Sequence, residues 1–382
     1  MTSGGLDRLR HLAVRAAAVG VVGCALGAVL DPGQLLRSYL VAYVFWTGCA
    51  LGCLAILMIN YVTGGVWGAA IRRLLEAGAG TLPLLALAFL PLAAGVGRLY
   101  VWARPDAVAR DALLQHTHPF LNVPFFLGRT VFYFAAWIAV ARALRRWSLG
   151  RDARPDPAAE RRLELLSRGG LVLLGLTMTF AAVDWMMSLE PHWYSTIYGV
   201  IFMGGSVLTA FAFVIAVAAL LSDDPDLARV LTPDAFHDLG KLLLAFLMLW
   251  AYFSYSQFLI IWAGNLPEEI PWYLARTRGG WGWLALGVVV FHFALPFPVL
   301  LSRTVKRRAR TLAVVAAALL AVRFLDLFWQ IAPAFHPGRL AVHWLDATTV
   351  LALGGFWLAA FVRGLAAGPL VPRHDPVLEG AA

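Results

Sequence analysis

Apolar residues run along this chain in long continuous blocks. They lack the strict alternation of a half-buried strand, so they read as helices. Ten blocks come near the ~20 residues a bilayer requires. They cover approximately 12–30, 37–61, 81–98, 121–141, 168–189, 195–221, 240–262, 281–301, 311–331 and 344–364. The segment 66–80 (VWGAAIRRLLEAGAG) is short and amphipathic, and is expected to lie on the membrane surface before Pro83 restarts the third span. No loop is long enough for a separate folded domain. The predicted fold is an all-α integral membrane protein, with residues 1–382 forming one polytopic domain.

Composition agrees with that pattern. The 382 residues are 60% hydrophobic and 14% charged, whereas a soluble domain carries about 25% charged residues. Near the start, Arg8 and Arg10 precede an apolar run from Leu12 to Leu30, and Val21, Val22, Gly23 and Cys24 resemble a lipoprotein cleavage box. The run continues past Cys24, which favours a first transmembrane helix over a cleaved signal.

The net charge of +9 is distributed by topology and does not suggest nucleic acid. Of the 31 Lys and Arg residues, 21 fall in loops, termini or span ends on one side, seven on the other, and Arg15, Arg129 and Arg323 deeper inside spans. The positive-inside rule then places both termini in the cytoplasm. The largest loop, 142–167, is charged and contains proline. No Gly-rich strand-to-helix loop offers a nucleotide site. Cys24, Cys49 and Cys53 show no CxxC and no pairing with histidine, which argues against zinc or iron–sulfur ligation. Among nine histidines only His292 is well inside the membrane, so the paired axial ligands of a membrane haem are missing.

A few polar residues interrupt the spans. At about 1.5 Å of rise per residue, Asp184 lies ~24 Å into the fifth span, Arg323 ~18 Å and Asp326 ~22 Å into the ninth, and His292 about halfway along the eighth. The seventh span carries Tyr252, Ser254, Tyr255, Ser256 and Gln257 from its middle outward. These groups gather between the midplane and the outer face, like a half-channel open to the outside. The cytoplasmic halves are nearly bare of hydrogen-bonding side chains. Ionisable groups at this depth are costly and point either to function or to buried ion pairs that tie helices together. Arg323 and Asp326, one turn apart, fit both. Asp184 has no partner on its own helix, and Arg129 or Arg323 across the bundle are the candidates. Glu190 and His192, and Glu268 and Glu269 in the next outer loop, fit a pathway mouth, a docking contact or capped turns.

The runs DWMMSLEPHWYSTIYGVIFMGGS (184–206) and YFSYSQFLIIWAGNLPEEIPWYLARTRGGW (252–281) resemble the second polysulfide-reductase-like membrane subunit of bacterial alternative complex III, a quinol:cytochrome c or other-acceptor oxidoreductase. The resemblance extends loosely to the span count. It implies two four-helix bundles plus two flanking helices in the bacterial cytoplasmic membrane. It also implies as partners a paralogous membrane subunit, an iron–sulfur subunit and c-type haem subunits, besides membrane lipids. Redox cofactors would sit in those partners and none in this chain, whose work would be scaffolding and a proton route. Asp184, Glu190, His192, Tyr255, Gln257, Glu268 and Glu269 belong to the resembling segments, Tyr252 opens the second of them and lies on the polar stripe of the seventh span, and His292, Arg323 and Asp326 enter the expected pathway by their depth. Two alternatives stand beside this expectation. In one the chain itself binds quinol, with Asp184 or His292 accepting its proton. In the other it is a secondary transporter, for which Pro83, Pro91, Pro296 and Pro298 would mark broken helices.

Overall fold

A computed structural model of the chain describes residues 4–153, 156–373 and 375. Among the described residues there is no strand, and ten helices are long and apolar enough to cross a bilayer. They are α1 Gly4–Leu30, α2 Pro32–Thr63, α3 Val66–Ala94, α4 Val123–Asp152, α5 Ala158–Leu189, α6 Tyr198–Leu221, α7 Pro233–Gly264, α8 Trp281–Leu301, α9 Ala309–Ala334 and α10 Trp344–Ala366. The chain is a multi-pass membrane protein whose spans are helical, the arrangement that lets backbone groups pair internally in lipid. Local chemistry sets the helix ends. Asp31 caps α2 by accepting from Gln34 N at 2.8 Å, with Pro32 at the first helical position. Thr232 caps α7 ahead of Pro233, and His343 and Asp346 cap α10 reciprocally. Side-chain acceptors at these positions satisfy donors that a helix start leaves free.

Successive spans alternate in direction, so the molecule has two unlike ends. The basic end carries the connections after α2, α4, α6 and α8, with most of the arginines. The aromatic end carries those after α1, α3, α5, α7 and α9, including the short helix Ile270–Thr277.

At the centre, α2 and α6 lie side by side and are the most completely buried spans. Glycine permits the approach. A Cβ on Gly52 would stand 2.1 Å from the Ser206 carbonyl oxygen. Around this pair, α2 packs on α3, α5, α9 and α10, and α6 packs on α5, α7 and α9. On the flank, α1 and α10 meet through Gly20, Gly23, Gly27 and Gly355, small residues of the kind that bring helices together where lipid removes the hydrophobic drive.

The segment 66–80 is not a surface helix. Every residue from Gly68 to Ala79 is buried, against α2, α6, α7 and α10. Its polar face meets ionic partners instead of headgroups. Arg73 donates to Glu76 at 2.6 Å and to Ser148 of α4 at 3.1 Å, and pairs with Asp152. Arg72 pairs with Asp375. The basic end therefore contains buried charges, contributed by the segment expected on the membrane surface. The rest of α3 is interrupted at Gly80–Thr81 and at Phe89, just before Pro83 and Pro91. In α8, residues Val289–Ala294 widen into a π-helix, with Leu295 N bonding Val290 O at 2.9 Å. Pro296 follows. Its ring displaces the carbonyl four residues earlier, that of His292, and its missing N–H leaves that carbonyl without the usual donor.

Gly52→Ala is expected to destabilise the bundle by about 1–3 kcal/mol through overpacking. A Cβ on Gly175 of α5 would meet no atom within 4 Å, so Gly175→Ala should leave the midpoint unchanged or raise it. Thermal unfolding of both variants in one detergent checks the contrast.

Candidate functional site

Asp184 is fully buried in α5, and its partner is Arg129 of α4. Arg129 Nε donates to Oδ2 at 2.9 Å and Nη2 to Oδ1 at 2.7 Å. Such a two-pronged fit is the strong form of the guanidinium–carboxylate pair. Tyr133 donates to Oδ2 at 2.8 Å, one turn along α4 from Arg129. The remaining guanidinium nitrogen donates to the Phe120 carbonyl at 2.9 Å. Phe120 and Phe125 lie over the cation at 3.9 and 4.2 Å. Both oxygens of Asp184 are thus occupied.

Arg323 and Asp326 form a second group, on α9. They pair with each other across one helical turn, and both are buried. Arg323 Nε also donates to the Gly205 carbonyl of α6 at 3.3 Å. Glycine is required there, since a Cβ would stand 2.0 Å from the guanidinium Nη2. Trp250 of α7 donates to Asp326 Oδ2 at 3.1 Å, and Gln330 donates to the same oxygen at 3.2 Å. His292, on the π-helical turn of α8, meets the Trp250 ring edge to face at 4.1 Å. Its ring is wholly buried, and neither nitrogen has a hydrogen-bond partner among the described residues.

No hydrogen bond or ion pair joins Asp184 to this group, and α6 lies between α5 and α9. The shared depth of these residues does not bring them into one cluster. The polar stripe of α7 divides likewise. Gln257 is buried and accepts from Ser195 at 3.0 Å, whereas Tyr252 and Tyr255 are 65% and 62% exposed on the outside of the bundle.

Beside Asp326 lies a cavity of about 480 Å³ bounded by α6, α7, α8, α9 and the helix Ile270–Thr277. Its walls are aromatic, including Tyr198, Trp250, Trp272, Tyr273, Phe293 and Trp329. Its few polar groups include Asp326, Gln330 and Gln257. Burial, partly offset by the Gln257 hydrogen bond, pushes the Tyr273 phenol up to about 12, so it stays protonated.

A lid of side chains covers the aromatic end above this cavity. Arg276, almost fully buried, donates to Glu190 at 2.5 Å, to the Gln330 carbonyl at 2.7 Å and to the Trp272 carbonyl at 3.0 Å. Its guanidinium lies 3.7 Å over the Trp272 ring, and Trp272 stacks on Trp193 at 4.6 Å. Sequence inspection did not single out Arg276, Trp250 or Gln330. One available signal was the spacing of Trp272 and Arg276, four apart on an amphipathic helix. Glu190 is thus part of this lid. His192 is exposed and pairs with Asp111 at 2.8 Å, linking two connections. Glu268 lines a surface groove nearby, and the Glu269 side chain does not cap the helix Ile270–Thr277 that follows it. Among the described residues no three His, Cys, Asp or Glu side chains gather as a metal site requires.

The sequence matches no protein-family model and no curated protein.

Removing Arg129 would leave a buried carboxylate without its counter-ion. Arg129→Ala is expected to cost about 3–5 kcal/mol, and Tyr133→Phe about 1–3 kcal/mol, as read by thermal unfolding in detergent. Asp111 supplies a pH-dependent case. Burial alone would raise its carboxyl, but the N–H groups of Leu114 and Leu113 and the His192 ring hold it below the usual range. A lowered carboxyl pKa contributes stability above the ordinary value of about 3.9, and loses it as pH falls through the lowered one. Amides 112–117 should therefore keep their exchange protection down to about pH 4 and lose it below. Hydrogen exchange corrected for intrinsic rates should show that loss vanish in Asp111→Asn.

Proposed function

We propose that this chain is an integral membrane subunit of a quinol-oxidising respiratory complex of the alternative complex III kind. In it, α2–α5 and α6–α9 are two four-helix bundles flanked by α1 and α10. Both termini face the cytoplasm, and the aromatic end faces outward. The partners are a paralogous membrane subunit, an iron–sulfur subunit and c-type haem subunits. The chain scaffolds this assembly and carries protons toward the outer face.

One observation supports the reading most. The two segments that resemble the family lie far apart in sequence, yet they build one structure. Trp193 stacks on Trp272, Ser195 donates to Gln257, and Glu190 pairs with Arg276. Residues that identify a family are expected to share a site, and these close the aromatic end over Asp326.

The geometry divides the proposed proton groups. Asp184 is held by Arg129 and Tyr133, which suits a structural clamp. Asp326 keeps one carboxylate oxygen free of hydrogen bonds and borders a cavity, beside the unpartnered His292. Proton transfer therefore falls to Asp326 and His292, with Arg323 setting the charge, while Tyr252 points away from them.

Two measurements test this. Mild-detergent purification should bring haem- and iron–sulfur-bearing subunits with the chain, and a chain that purifies alone and moves a solute would favour a transporter. In the assembled complex, Asp326→Asn should slow quinol-driven proton release by about tenfold or more, at the low end of acid–base contributions. Asp184→Asn should lower the yield of complex and leave the turnover of what assembles near normal. Equal turnover for both variants and the parent would remove the proton role.

A further inference from the structure

Two hydroxyl groups of α7 face hydrocarbon. Tyr252 and Tyr255 are largely exposed on the outside of the bundle, and among the described residues neither hydroxyl takes part in a hydrogen bond. Their depth follows from the ends of the helix. At the basic end Lys241 is exposed and pairs with Asp238 at 2.9 Å, and at the aromatic end Asn265 closes the helix in a left-handed conformation. These two residues are 24 positions apart, about 36 Å along the axis. Tyr252 is 11 positions from the first and 13 from the second, so it lies at the midplane. Tyr255 is one turn nearer the aromatic end. A tyrosine in the headgroup belt keeps its hydroxyl wet, but from the midplane the ring is too short to carry it to either interface. An unsatisfied hydroxyl in hydrocarbon is costly, and a lipid tail offers no acceptor. The two tyrosines therefore mark a face that protein covers.

The same face indicates which protein. The exposed residues Ala245, Met248, Tyr252, Tyr255, Leu259 and Trp262 follow one another at alternating intervals of three and four. That is the seam of a left-handed helix pair. A two-fold axis along the membrane normal would set each residue level with its own counterpart. A hydroxyl both donates and accepts. Four hydroxyls, two from each copy, can thus close a ring in which each donates once and accepts once. A foreign helix would have to bring acceptors to two given depths, whereas a second copy brings them by symmetry. Between Ala245 and Trp262 there is no Asp, Glu, Lys or Arg, so no like charges would meet across the axis.

We propose that α7 is the contact between two copies of this chain, which pair in parallel along Ala245–Trp262 with Tyr252 and Tyr255 hydrogen-bonded across a two-fold axis. The contact stands apart from the quinol-complex reading and does not need it.

The test places the photoreactive residue p-benzoylphenylalanine at Met248 or at Leu259 of the full chain, in the membranes of cells that express it. Irradiation should join two copies of the chain. The same residue at Val172, exposed on α5, should not. In liposomes, energy transfer between donor- and acceptor-labelled copies should follow a monomer–dimer equilibrium as the protein-to-lipid ratio rises. Tyr252→Phe combined with Tyr255→Phe keeps the size of both side chains and removes only the hydroxyls. It should raise the dissociation constant about tenfold, the loss of a few interhelical hydrogen bonds. Energy transfer no greater than random proximity gives overturns the proposal, and so does a dissociation constant that the double substitution leaves unchanged. Photo-adducts at both positions with lipid alone, or with a different polypeptide, overturn it as well.

Discussion

A guanidinium buried in an apolar bundle has to find acceptors for its donors, and that demand organises this molecule. Arg73, Arg129, Arg276 and Arg323 are all buried, and each ties its own helix to another element. Arg73 joins α3 to α4, Arg129 joins α4 to α5, Arg276 joins the helix Ile270–Thr277 to the α5–α6 connection and to α9, and Arg323 joins α9 to α6. Lipid removes much of the hydrophobic reason for helices to associate, so packing and polar contacts must supply it. Losing one partner of such a pair costs several kcal/mol because a charge is left uncompensated. These arginines therefore fix which helices are neighbours as well as how tightly they pack.

The spans themselves were legible because about 20 consecutive apolar residues are a length requirement that sequence states directly. The expected bounds of the sixth, eighth, ninth and tenth spans lie within three residues of the helix ends, whereas the first, third, fourth, fifth and seventh helices run at least seven residues beyond the expected span at one end, where polar residues continue the helix past the apolar block. The segment 66–80 was misjudged for a physical reason. Arg72, Arg73 and Glu76 on an otherwise apolar helix make the same pattern whether the polar face meets headgroups or buried carboxylates. Only the positions of Asp152, Ser148 and Asp375 decide between those surroundings, and they lie far along the chain.

The polar residues show a related limit. A rise of about 1.5 Å per residue gives depth from sequence, and depth placed Asp184, Arg323 and Asp326 at similar levels. It does not give the direction in which each faces, which depends on how the helices pack. Asp184 turns to α4 and Arg323 to α6, so groups at one level belong to two networks. Tyr252 and Gln257 differ for the same reason. Five residues apart, they sit on opposite sides of α7, one toward lipid and one toward Ser195. The cavity was not legible at all, since its walls come from five elements and its existence depends on how α7 and α8 part.

Two aspartates of nearly the same depth can then be told apart by their lone pairs. Arg129 and Tyr133 occupy both oxygens of Asp184, and Phe120 and Phe125 close over the cation that holds it. A proton or ligand reaching Asp184 would have to displace a two-pronged charge-assisted contact, among the strongest side-chain interactions available. Asp326 receives its three contacts on a single oxygen and keeps the other beside open space. His292, which packs on the Trp250 that donates to Asp326, has two nitrogens without a hydrogen bond among the described residues, on a turn that the following proline forces out of α-helical register. Buried polar groups in native proteins are nearly always paired, so incomplete pairing calls for a cause. Around Asp184 nothing is left to explain. Around Asp326 the free oxygen, the unpartnered imidazole, the widened helix and the aromatic cavity all occur within one small region.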